Sequence, residues 1–161
     1  MSIPDEVAQY AEGHRITSYF SLGEVKDGEH VKHNWLWTTI ASGRQPYQFD
    51  SFRVFVWSLR RHRYETAYIE RNLKGYYPTK VIPAPGAQPQ FSLVIEDKDG
   101  ARMLRTYMFQ GFRVRLLSKA PWQPEPEPSA GEPAASGQGG PNQSWLSRLR
   151  SAWRNLVGDK K

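Results

Sequence analysis

The chain of 161 residues predicts an all-β protein: an antiparallel small barrel or sandwich of about seven to eight strands, followed by a disordered Pro/Gly linker and a C-terminal amphipathic helix. Three observations carry this expectation. Apolar and polar residues alternate with period two at "FSLVIE" and "GFRVRLL", as in strands with one face buried. Glycine-containing turn signals at Asp27-Gly28, Asp99-Gly100 and Gln110-Gly111 interrupt such runs. From Pro121 the composition changes to "PWQPEPEPSAGEPAASGQGGPNQ", which has almost nothing to bury and cannot offset its ordering entropy. The expected parts are a β domain at 1–120, a linker at 121–143 and a helix at 144–161.

Taken in order, Ser2 is expected to cap a short helix with Pro4 in its first turn, Asp5 and Glu6 near its positive end and Gly13 as its stop. "RITSYFSLGEV" and "HVKHNWLWTTIA" then flank Asp27-Gly28 as a hairpin rich in aromatic and β-branched residues. "SFRVFVWSL" alternates Phe52, Val54 and Val56 against Arg53, Phe55 and Trp57, which fits a strand covered on both faces. For 62–71, strand geometry puts His62, Tyr64, Thr66, Tyr68 and Glu70 on one face, whereas a helix aligns Tyr64, Ala67, Tyr68 and Arg71; the Tyr, Thr and Ile content favours the strand. A meander at about 90–97, 101–109 and 112–118 completes the body, with Phe112, Val114 and Leu116 facing in and Arg113 and Arg115 facing out.

The tail has the sharpest pattern. In "SWLSRLRSAWRNLV", Trp145, Leu146, Leu149, Ala152, Trp153, Leu156 and Val157 recur at helical spacing over an arc of roughly 140°. Ser144 is the expected N-cap and Gly158 the stop. Arg148 and Arg150 flank the apolar arc, and Arg154, Lys160 and Lys161 add charge beyond it, the cross-section of a helix that lies in a membrane interface. Such a helix is only about 20 Å long, too short to span a bilayer. An anionic membrane surface and a protein groove, on this chain or a second copy, both fit the pattern. The linker, treated as a flexible coil, separates its ends by roughly 25 Å.

Composition excludes several classes. With no cysteine there are no disulfides, zinc–thiolate sites or thiol nucleophiles. No run approaches the ~18 apolar residues of a membrane span, and "MSIPDEVAQYAEGHR" has acids where a signal peptide has a basic start and an apolar stretch. Taken as an authentic start, Met1 therefore leads to an expectation of a cytoplasmic chain. The formal charge of +6 is spread unevenly: 144–161 holds three Arg and two Lys against Asp159, while the linker holds only Glu125, Glu127 and Glu132. In the body, bases alternate with acids, giving a mildly basic surface.

The densest charge lies in "SLRRHRYETAYIERN". Arg61, Arg63, Tyr64 and Tyr68 form the candidate ligand surface there, and with Arg60, Arg71, Trp35, Trp37, Tyr76 and Tyr77 they suggest a single-stranded nucleic-acid binder as the alternative reading. Because Asp50, Glu65 and Glu70 interrupt the patch, nucleic acid is disfavoured and outward-facing strand charges are preferred. His30 and His33 fall on opposite faces of a strand, as do Glu65 and Glu70, so neither a shared metal nor a paired acid and base is expected. No Gly-x-Ser-x-Gly elbow, phosphate loop or dinucleotide fingerprint occurs. The expectation is a non-catalytic chain without metal or cofactor.

Two stretches, "IPDEVAQYAEGHRITSYFSLGEVKDGEHV" and "FRVFVWSLRRHRYETAYIERNLKGYYPTKV", resemble the C-terminal region of a family of bacterial SH3b-domain-containing proteins. The resemblance covers roughly 3–117 and is most specific at 60–72. In that family an export signal and SH3b modules precede this region. The resemblance implies an interaction module of an envelope or periplasmic protein, with a protein or cell-wall ligand as partner. It carries over no catalytic residue.

Overall fold

A computed structural model describes residues 2–41, 43–83 and 88–124. All eight strands lie in one compact unit, Met1–Gln123. In chain order they are β1 Arg15–Asp27, β2 His30–Ile40, β3 Ser51–Ser58, β4 Arg63–Glu70, β5 Gly75–Ile82, β6 Gln90–Glu96, β7 Arg102–Gln110 and β8 Arg113–Pro121. They form two four-stranded antiparallel sheets in simple sequential order, β1-β2-β3-β4 and β5-β6-β7-β8. The all-β expectation holds, as a pair of facing meanders.

One core lies between the sheets. Leu36, Phe52, Val54 and Val56 of the first meet Phe91, Leu93, Ile95, Tyr107 and Phe109 of the second, all fully or nearly fully buried. Phe52 contacts Phe91 and Tyr107 across this layer with ring centroids 6.0 and 5.2 Å apart. Burying each such side chain stabilises the fold by about 1.5–3 kcal/mol before the entropy of ordering is subtracted. A close approach at the edge of this layer fixes one residue type: a Cβ on Gly75 would lie 2.1–2.4 Å from the Phe49 ring.

The first sheet is also covered on its outer face, as the alternation in β3 predicts. Trp35, Trp37, Phe55, Trp57 and Tyr64 form a second cluster there, closed by Val7 of the short helix α1 Asp5–Ala8. Arg53 lies over the rings of Tyr10 and Phe55, at 5.0 and 4.8 Å from their centroids. Pro4, not Ser2, occupies the N-cap, and its carbonyl accepts from the N–H groups of Val7 and Ala8. The helix tightens into a 3₁₀ turn, Gln9–Ala11, and stops as Glu12 and Gly13 take positive φ.

Three local departures from simple alternation matter for the site. Between β3 and β4 the register slips: Val54 faces Tyr68 but Phe55 faces Thr66, leaving Ala67 as the extra residue of a β-bulge. Tyr64 and Thr66 therefore share the outer face, and Tyr68 and Glu70 the inner one, where an unbroken strand puts all four together. The hairpin joining β7 and β8 closes on the pair Gln110–Arg113, with Gly111 at φ +63. Phe112 thus belongs to the turn and is exposed, while Val114 packs on the core; Leu116, expected inside, pairs with Tyr107 but is 46% exposed because β8 is the edge strand of its sheet. Finally, β8 runs to Pro121, and Trp122 N–H donates to Arg102 O, so pairing extends past the change in composition. Pro78 is accommodated in β5 because this is an edge strand, where a missing N–H costs no ladder bond between neighbours.

Candidate functional site

The arginine-rich stretch does not assemble one surface. Arg61 and Arg63 are exposed at the β3–β4 hairpin, and both reach Glu65, at 3.0 and 3.7 Å. Tyr64 is 5% exposed and packs edge-on against Trp57, centroids 4.9 Å apart. Tyr68 lies beyond the bulge on the opposite face, against Phe52 and Tyr107. His62 takes positive φ in the turn, and its Nδ1 donates to Asp27 Oδ2 at 2.6 Å. Trp57 Nε1–H donates to the same oxygen at 2.9 Å. The His62 bond first, and the Trp57 bond second, hold the Asp27 carboxyl below the usual carboxylate range.

Where the stretch ends, a cluster absent from the sequence reading links the sheets. Arg105 is the register partner of Leu93, so its guanidinium points into the space between the layers. Glu70 of β4 meets it: its Oε2 accepts from Arg105 Nη1 at 3.2 Å, and its Oε1 accepts from Tyr107 Oη at 2.7 Å and from Tyr68 Oη. Asp97 extends the chain of charges, 3.8 Å from Arg105 Nη2 and 2.9 Å from Lys119 Nζ of β8. Burial, followed by the neighbouring Glu70 carboxylate, raises the Tyr68 hydroxyl well above its usual range. Burial also leads for Tyr107, where Glu70 raises the hydroxyl further against the opposing pull of Arg105. At Arg105 burial works against the charge, but Tyr107, Glu70 and Asp97 outweigh it and raise the group. A half-buried cation with two acidic partners and two phenols is a network whose members are costly to remove singly.

The bulge also places Glu65 and Glu70 on the same side of β4, since their register partners are Val56 and Phe52, both inward-facing. The expected opposite placement fails because the extra residue shifts the alternation by one. Neither carboxylate is free: Arg61 and Arg63 hold Glu65, and Arg105 and the two tyrosines hold Glu70.

Two open clefts lie at opposite ends of the sandwich. The larger, about 840 Å³, sits beside the charge network and is lined by Lys74, Asp97 and Asp99 of the β4–β5 and β6–β7 turns, with Glu96 at the end of β6 and Lys119 of β8. The second, about 610 Å³, is lined by Trp57 of β3, by Leu59, Arg60 and Arg61 from the β3–β4 turn and by Gly111 and Phe112 from the β7–β8 turn. Leu59 is 51% exposed and Phe112 is 63% exposed. Sequence reasoning passed over these two because alternation assigned Phe112 to the core; its position directly after a turn glycine was the available signal.

Among the described residues, no group of three or more His, Asp or Glu side chains is arranged to hold a metal ion. His33 is engaged with Ser21, Nδ1 to Oγ at 2.8 Å. The tail residues expected to bind a membrane or partner, Trp145, Leu146, Arg148, Leu149, Arg150, Trp153, Arg154, Leu156 and Val157, lie outside the described residues, as does the linker beyond Pro124. Neither family models, curated proteins nor solved structures give a match to this chain.

Proposed function

We propose that the chain is a non-catalytic interaction module, of the kind its resemblance to bacterial SH3b-type envelope proteins implies, tethered to an anionic membrane surface or a partner groove by residues 144–161. The observation that carries this reading is the tail's sequence pattern: seven apolar residues at helical spacing, flanked by arginines, at the end of a Pro/Gly-rich segment that follows a β-sandwich. The body supports it by the way its ionisable groups are used. Asp27, Glu65, Glu70 and Asp97 each hold two or more donors or cations within the fold. Groups committed to such bonds hold hairpins and sheets together and are poorly placed for general acid–base work. Against the single-stranded nucleic-acid reading stands the separation of Tyr64 and Tyr68 onto opposite faces, which removes the stacking platform.

The test is co-sedimentation of the full chain with anionic and neutral vesicles at two salt concentrations, beside Trp145→Asp/Trp153→Asp. The membrane tether predicts salt-sensitive binding to anionic vesicles that the double variant loses. Equal binding by both chains overturns a tail-borne tether. Absence of binding by either moves the tether to a protein groove.

A further inference from the structure

The β3–β4 and β7–β8 turns meet at one end of the sandwich and jointly line the smaller cleft. Each brings one large apolar side chain to the rim, Leu59 and Phe112, both more than half exposed. Each also brings arginine: Arg60 and Arg61 follow Leu59, and Arg113 follows Phe112. The one acid in the cleft lining, Glu65, is already held by Arg61 and Arg63. Arg60 and Arg113 carry no ion pair among the described residues. The neighbouring β1–β2 turn, held here through Asp27 and His62, adds Glu24, Asp27 and Glu29 against Lys26 and Lys32, one negative charge net, which leaves the arginines of the rim in excess.

We infer that this end of the β-sandwich is itself a contact site for an anionic lipid surface, with Leu59 and Phe112 entering the headgroup region and Arg60 and Arg113 facing lipid phosphates. Exposed apolar tips flanked by cations suit an interface in which one layer is apolar and the next negatively charged. Charge selects this occupant over the others. The chain's own tail carries five bases and one acid, so docking it, or the tail of a second copy, against this rim brings like charges together. A free anion needs the arginines but leaves Leu59 and Phe112 without a role. The inference deepens the membrane branch of the tether reading and rests on that reading for its setting, but it uses residues of the body alone.

Because the chain has no cysteine, a single cysteine carries a fluorophore to one chosen place. Full-length Phe112→Cys, labelled with an environment-sensitive dye, is titrated with phosphatidylcholine vesicles with and without 30% phosphatidylserine. Lys98→Cys, in the exposed β6–β7 turn at the other end of β7, is the reference. The expected result is a blue shift and brightening at position 112 on anionic vesicles only, with position 98 unchanged. Unlabelled Arg60→Glu/Arg113→Glu is expected to bind the anionic vesicles at least tenfold more weakly, since each basic residue near such a surface accounts for about fivefold. A chain that sediments with vesicles while the dye at 112 still reports water overturns the inference and leaves the tail tether standing. A response at 112 that survives Trp145→Asp/Trp153→Asp supports the inference and shows that it does not depend on the tail. No response at 112 with vesicles, or a response to an anionic oligonucleotide instead, overturns the lipid assignment.

Discussion

The two ends of the sandwich carry charge in opposite ways. At the end marked by the β4–β5 and β6–β7 turns, Glu70, Arg105, Asp97 and Lys119 are tied to one another and to one buried and one half-buried phenol, joining β4 to β7, β8 and the β6–β7 turn. At the other, Arg60 and Arg113 stand without an ion pair among the described residues, beside Leu59 and Phe112. Charge density along the chain therefore says little about function. What separates a structural charge from an available one is whether the fold supplies its partner.

The strongest way to break this contrast is Glu70→Ala, which leaves Arg105 between the sheets with only the more distant Asp97 carboxylate, and two tyrosine hydroxyls without the Glu70 acceptor. Urea denaturation is expected to show a loss of about 3 kcal/mol, as for other mostly buried pairs broken on one side. A loss comparable to a surface pair, about 0.5 kcal/mol, removes the distinction.

Next in size is Gly75→Ala at the same end. Its Cβ would overlap the ring of Phe49, which is fully buried and has nowhere to move, so a cost of about 2 kcal/mol is expected in the same assay.

Alkali sharpens the comparison without touching packing. Tyr68 and Tyr107 are both raised above the ordinary 10.0, so the folded chain keeps protons that the unfolded chain releases. Their contribution to stability is whole below about pH 10 and is lost as pH rises from there towards their folded values. Tyr68→Phe is expected to flatten the fall in stability above pH 10, measured as midpoint denaturant concentration against pH; an unchanged profile contradicts the raised hydroxyl.

The smallest expected effect belongs to the open end. Leu59→Ser/Phe112→Ser removes two exposed side chains, and stability is expected to stay within about 0.5 kcal/mol of the parent. A larger loss means that these residues pack against the body.

The contrast was partly legible before any coordinates. Period-two alternation placed Phe91, Leu93 and Ile95 on one face and covered β3 on both, and all six residues of Phe52–Trp57 behave accordingly. It failed at Ala67 and at Phe112, and Leu116, assigned to the inside, is exposed on the edge strand β8. A bulge adds one residue to one strand of a pair, and nothing in that strand's letters alone marks where its partner's register slips. A turn closed one residue later than its glycine suggests likewise moves the next side chain from core to solvent. Those two single-residue shifts divided Tyr64 from Tyr68 and exposed Phe112.

By itself the sequence determined the class of fold, the number of strands to within one, and the absence of cysteine chemistry, because these follow from composition and local period. Only the tertiary structure decided that Arg105 faces inward to Glu70, that Asp27 is shared by His62 and Trp57, and that Leu59 and Phe112 meet at one rim. Each of these joins strands or turns from 30 to more than 50 positions apart in the chain, and such pairings depend on register and sheet stacking, which no local pattern encodes.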